Sequence, residues 1–246
     1  MCKNVSEIST CMTQFSSSNG SWTTGVSADG YFYCPSQLGN QQTIARGTSA
    51  CPDDWTVRNP TWIRYSDDGA SLNWATGEIG RTDFEAALAR DGKTSADMYA
   101  VDFGQDVTAI APSCFADWGA MREVKIGDNV EWIGDNAVRS RQQISSVQWG
   151  VGGNLTAIGD HAFAGVQKCV WQDIPDGVLS VGPYAFQFGG APLTVITVPS
   201  SVTNIGAAAF GSNSGLLSVV FHDRAMAEVE AMTGYPWGAT GKVFVD

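Results

Sequence analysis

The sequence predicts a mainly β solenoid with short helices, built of about five stacked repeats of 23–25 residues and preceded by a small α+β module. Three observations lead there. A nine-residue template recurs in phase over the second half of the 246-residue chain, a short strand-like run stands at a fixed place between its copies, and the first hundred residues follow neither pattern. The expected division is therefore 1–100 for the N-terminal module, 101–223 for the repeats and 224–246 for a C-terminal cap.

The N-terminal module holds four of the six cysteines and is rich in Ser, Thr and Gly. Trp62 to Trp74, WIRYSDDGASLNW, places Asp68-Gly69 between two partly alternating runs and reads as a hairpin. Thr82 and Glu85 have capping-box spacing ahead of DFEAALAR, and Gly92 stands where a helix ends in positive φ. The expectation is a helix of about ten residues with Phe84 and Leu88 inward, leading into the solenoid as its first cap.

The repeats begin with VTAIAPSCF (Val107 to Phe115) and continue as VEWIGDNAV, LTAIGDHAF, VLSVGPYAF and VTNIGAAAF. Their closing apolar residues are Phe115, Val138, Phe163, Phe186 and Phe210. Between them, apolar residues occupy the first, fourth and sixth places of a short run: Met121/Val124/Ile126, Ile144/Val147/Trp149, Cys169/Gln172/Ile174, Leu193/Ile196/Val198 and Leu216/Val219/Phe221. Gln172 alone departs from the rule. Each run is too short for a helix and rich in β-branched residues. One repeat cannot bury its apolar edge, whereas stacked copies pair their strands at ~4.8 Å and enclose a continuous core.

The pattern is fullest in LTVITVPSSVTNIGAAAF (Leu193 to Phe210), and it resembles the BspA-type leucine-rich repeats over about Val101 to Asp223. The tail Arg224 to Asp246, with its Tyr-Pro-Trp-Gly element, is similar to the ending found after such repeats. Ala137-Val138 and Gln172 depart from the family pattern. The resemblance implies a leucine-rich-repeat-like solenoid in a bacterial surface or phage-associated binding protein, with no catalytic residue set to carry over. In the tail, Arg224 to Met232 has helical composition stopped by Gly234 and Pro236. Lys242 to Val245 reads as a strand, and Tyr235 with Trp237 as the apolar plug of the last layer.

Composition narrows the function. A net charge of −11 leaves no basic footprint for nucleic acid or an anionic membrane. No apolar run approaches the ~20 residues of a membrane span, and Met1 to Gly20 shows no apolar centre of a signal peptide. Two histidines, His161 and His222, argue against histidine-based catalysis, and no C-x-x-C pair, G-x-S-x-G elbow or 12-residue calcium loop occurs. Gly92-Lys93-Thr94 lacks the earlier glycine of a phosphate loop and follows a helix rather than opening one. No enzyme, cofactor or metal site is expected. Cys34 and Cys51 are the candidate disulfide, closing a 16-residue interior worth about 3 kcal/mol, with a four-cysteine metal site as a minor alternative. Cys2 with Cys11 is a second candidate pair; Cys114 and Cys169 read as buried hydrophobes.

A binding site is expected on the strand face, where side chains between core positions project as columns. Arg122, Lys125, Trp171 and Asp173 are the candidate ligand-binding residues, Trp171 either as an exposed anchor or as filler beside Gln172. The expected function is non-enzymatic recognition or adhesion through a protein or glycan ligand, at a cell surface or outside the cell. The alternatives are a phage virion component (tail, fibre or decoration), a homo-oligomer in that case, and a carbohydrate-active hydrolase, for which no carboxylate pair has a defined spacing.

Overall fold

The computed structural model describes residues 31–33, 56–58, 61–66, 70–73, 76–139, 144–166, 168–169, 171–189 and 193–246. Contacts divide the chain into two units, Met1–Pro60 and Thr61–Asp246. In the first, β1 (Tyr31–Tyr33) pairs in parallel with β2 (Thr56–Arg58). Cys2, Cys11, Cys34 and Cys51, and with them the candidate disulfide, lie outside the described residues.

The second unit is the solenoid. Its turns alternate two kinds of strand, and each kind stacks in register on its counterparts. Short strands form one six-stranded parallel ladder: β5 (Gly77–Ile79), β7 (Val107–Ile110), β9 (Trp132–Ile133), β11 (Ala157–Ile158), β13 (Ser180–Val181) and β15 (Asn204–Ile205). The longer face is a five-stranded sheet ordered β10 (Ser146–Gln148), β8 (Glu123–Lys125), β6 (Met98–Asp102), β3 (Thr61–Tyr65) and β4 (Ala70–Asn73), followed by a four-stranded one ordered β12 (Trp171–Asp173), β14 (Val195–Val198), β16 (Ser218–Phe221) and β17 (Lys242–Val245). The sheet is thus interrupted between the second and third expected repeats.

The template residues do what their period requires. Ile110, Ile133, Ile158, Val181 and Ile205 point from the short strands into the core, and the first, fourth and sixth residues of each long-strand run are buried or, for Val147 and Trp149, partly so. The closing Phe residues stack along the axis: the rings of Phe163 and Phe186 lie 5.8 Å apart at 7°, and those of Phe186 and Phe210 6.4 Å apart at 27°. Where Val138 interrupts the column, Trp149 of the same turn sets its ring edge-on against Phe163 at 5.5 Å. Buried Gln172 survives in the strand because its amide donates to the Asp173 carbonyl at 2.9 Å.

Glycine after the core Ile or Val is needed for room. A Cβ on Gly182 would lie 2.6 Å from the Asp160 nitrogen, and one on Gly206 2.3 Å from the Pro183 nitrogen, both atoms being backbone of the preceding layer. Gly206→Ala is therefore expected to cost about 1–3 kcal/mol by forcing two layers apart. Thermal melting within experimental error of the parent would contradict that approach.

Four expectations change. The boundary drawn at residue 100 falls inside the solenoid, because β3, β4 and β6 are strands of its long face and β5 starts its short ladder; the chain divides forty residues earlier. There are six turns rather than five, the first running from Ile79 to Phe103, with Met98, Val101 and Phe103 in the core positions. The helix α1 (Arg81–Arg90) has its N-cap at Gly80, whose N–H donates to the Asp83 carboxylate at 2.8 Å, two residues before the expected Thr82–Glu85 box. At the far end α2 (Met226–Glu230) spans five residues, and Trp237 alone is the buried plug, while Tyr235 stays exposed with its ring edge-on to Trp237.

The remaining elements agree. β3 and β4 form the antiparallel hairpin, Gly92 has φ of 65°, and Phe84 and Leu88 of α1 are buried. Phe84 packs on Phe115 with centroids 4.6 Å apart and edge-on to Phe103, so α1 covers the first layer of the core. β17 pairs with β16 to close the last.

Candidate functional site

On the long-strand face the register aligns the columns as expected: Lys125 stands beside Gln148, and Asp173 beside Thr197 and Val220 in the second sheet. Several charged members of this face are already engaged. The Lys125 ammonium lies 3.0 Å from the Asp102 carboxylate, and Arg64 pairs with Glu123. Arg122 turns back on its own loop and donates to the carbonyls of Ala120 at 2.9 Å and Met121 at 3.3 Å. Asp173 accepts from the Thr197 hydroxyl. Trp171 holds its place in β12, and its side chain lies outside what the structure describes. The four candidates therefore share one face, but Arg122, Lys125 and Asp173 spend their polar groups within the fold.

The short-strand ladder differs. Its register column runs Glu78, Ala109, Trp132, Ala157, Ser180 and Asn204, one per turn, aligned by parallel pairing, with Ala109 buried. Along them runs an open groove of about 480 Å³ lined by Trp132, Ala157, Ser180 and Asn204, by the close-packed glycines, and by Pro112, Asp135, Asp160 and Pro183 on one side. The large indole of Trp132 stands between Ala109 and Ala157, so no side chain of its height flanks it along the column. It is half-buried and makes no ring contact among the described residues.

Among the described residues, several polar side chains of the groove have no protein partner, Asp135 being the exception. The Asp135 carboxylate accepts the N–H of Asp160 at 2.8 Å from the next layer. One layer on, the equivalent residue is Pro183, which has no N–H to give, so the Asp160 carboxylate accepts no such bond. Neither the Ser180 hydroxyl, the Asn204 amide nor the Trp132 Nε1–H bonds to a described residue. A donor set, an acceptor set and an aromatic face thus converge on one channel, which is the arrangement of a ligand site. Sequence reasoning missed it because these residues occupy slots that vary from copy to copy. The available signal was a single Trp among Ala, Ser and Asn in the third place of the template.

Other reactive groups are occupied structurally. His161 stacks on Tyr184, centroids 4.7 Å apart, and both take positive φ in the slot they share with Asn136, as the template alignment anticipates. His222 Nδ1 lies 2.7 Å from the Asp246 carboxylate. Cys114 and Cys169 are buried, as expected, and desolvation pushes the Cys114 thiol far above its ordinary range, which removes it as a nucleophile. Among the described residues no three His, Cys, Asp or Glu side chains form a group able to hold a metal, and no helix is long and apolar enough to cross a membrane.

With this geometry in view, the comparisons are specific. A family model described as BspA type leucine rich repeat region matches residues 94–217 in six copies. No curated protein matches the chain. Among solved structures, the chain is similar to a leucine-rich repeat protein from Eubacterium ventriosum at 20% identity, covering 66% of this chain and 42% of that one with a TM-score of 0.50. It is also similar to the leucine rich repeat protein of T. pallidum at 23% identity, covering 49% and 57% with a TM-score of 0.44. A leucine rich cell surface protein from Faecalibacterium prausnitzii matches at 19% identity over 69% and 56%, with a TM-score of 0.31. The chain spans 42–57% of the length of these three proteins. Such likenesses speak to fold alone.

Proposed function

Because the chain belongs to the BspA-type leucine-rich repeat family, we propose that it is a non-enzymatic recognition protein, displayed outside a bacterial cell, that binds its ligand in the groove of the short-strand ladder. The observation that supports this reading is the contrast between faces. Charged side chains on the long-strand face are consumed by one another and by loop carbonyls, whereas Trp132, Asp160, Ser180 and Asn204 offer unspent groups to a common channel. A half-buried Trp in a concave setting is the residue type that anchors binding most strongly.

The test is a binding screen of the full chain against glycan and protein panels, repeated with substitutions on each face. Trp132→Ala is expected to weaken a bound ligand about thirtyfold or more, the ~2 kcal/mol of an anchoring aromatic, with little change in melting temperature because the half-buried ring is not part of the buried core. A ligand that ignores Trp132→Ala and is lost on Lys125→Ala would move the site to the long-strand face.

A further inference from the structure

Resting on the groove as the recognition site, we infer that its occupant is a linear, uncharged, β-1,4-linked polysaccharide lying along the solenoid axis, one sugar ring per layer over Trp132, Ala157, Ser180 and Asn204. The spacing comes first. Parallel pairing puts these residues in direct register, so successive floor positions are one inter-strand step, ~4.8 Å, apart. Each ring of an extended, equatorially linked hexose chain advances by close to that step. Like such a glycan, an extended peptide turns over at each unit, but it rises ~3.3 Å per residue and ~6.6 Å per same-side pair, and neither distance matches one layer. The groove also lies on the face of a ladder whose inner strands are paired on both sides, and so offers no backbone edge for a peptide to extend.

Chemistry agrees with spacing. The Trp132 indole, with only Ala on either side, presents a broad apolar surface suited to the C–H face of a pyranose ring. Sugar hydroxyls both donate and accept, and the groove supplies both partners: the Trp132 Nε1–H and Asn204 amide donate, the Asp160 carboxylate accepts, and the Ser180 hydroxyl does either. Charge then selects among polysaccharides. Asp135 and Asp160 line the channel, no Lys or Arg does, and the chain carries −11, so uronate, sulfate and phosphate groups are repelled.

Titration calorimetry of the full chain tests this with β-1,4-linked oligomers of glucose and of N-acetylglucosamine of two, four and six rings, a six-ring oligogalacturonate, and pentalysine. At least one neutral series is expected to bind, with affinity rising at least tenfold from two to four rings and levelling by six. Trp132→Ala abolishes that binding, Trp132→Phe keeps part of it, and Asp160→Asn weakens it while leaving the melting temperature unchanged. Failure of both neutral series at millimolar concentration, equal affinity at two and four rings, or preference for oligogalacturonate overturns the inference. Trp132-dependent binding of pentalysine or of a protein, with no neutral oligomer bound, overturns the glycan and leaves the groove as the site. Oligomer binding that survives Trp132→Ala and is lost on Lys125→Ala overturns both.

Discussion

Phe186→Ala is expected to cost about 3–5 kcal/mol of folding stability, enough to shift a urea or thermal transition far outside error. The ring is fully buried between Phe163 and Phe210, with Phe188 edge-on at 6.0 Å. Truncation leaves a cavity that the neighbours cannot fill, because each layer is fixed to the next through its backbone. The Phe186 N–H donates to the Ala209 carbonyl at 2.9 Å, and that of Phe163 to Ala185 at 3.0 Å. Phe163→Ala belongs in the same range but toward its lower end, since the adjacent Trp149 ring can lean into part of the space. In a solenoid each layer contacts only its neighbours, so the loss is also local, and fraying should begin at the altered layer. A near-neutral result at Phe186 would mean that the aromatic column is not what joins the layers.

What repeats was legible, and what does not repeat was not. The core columns could be read because five copies vote on each position, and even the polar exception Gln172 fell at its correct place in the strand. The first turn escaped because α1 stretches the interval from Ile79 to Ile110, taking Ile79 out of phase, although Met98, Val101 and Phe103 keep the spacing of Met121, Val124 and Ile126. The helix cap was misplaced for a related reason. Local preference favours Thr82, but Ile79 is committed to the core and the Gly80 N–H is taken by the Asp83 carboxylate, so the helix begins at Arg81. The site itself lies in the variable slots that alignment of repeats averages away. Conversely, Lys125 looked free in the sequence because its partner Asp102 lies in the turn that was not recognised.

Asn213→Ala is expected to cost about 2–4 kcal/mol, approaching the loss of a core aromatic, although the side chain removed is polar and small. Asn213 is fully buried and uses its whole amide: Oδ1 accepts the Phe188 N–H at 2.9 Å, while Nδ2 donates to the carbonyls of Phe186 at 2.8 Å and Phe210 at 3.0 Å. Its own carbonyl accepts the Thr240 hydroxyl at 2.8 Å, tying in the C-terminal segment. Alanine leaves the Phe210 carbonyl buried without its donor, at ~1–3 kcal/mol, and strips the Phe188 N–H and the Phe186 carbonyl of all but the 2.9 Å bond between them. Asn213→Asp sharpens the test. The carboxylate can still accept from Phe188 but faces two carbonyls, so its ionised form is disfavoured and its pKa in the folded state rises above the unfolded value. The variant should then be least stable at neutral pH and regain stability relative to the parent as pH falls through that raised pKa, because the protonated acid can again donate to one carbonyl. Urea transitions at neutral and mildly acidic pH read both effects. An alanine variant within ~0.5 kcal/mol of the parent, or an aspartate variant whose deficit ignores pH, would show that the Asn213 amide is not what joins the last two layers.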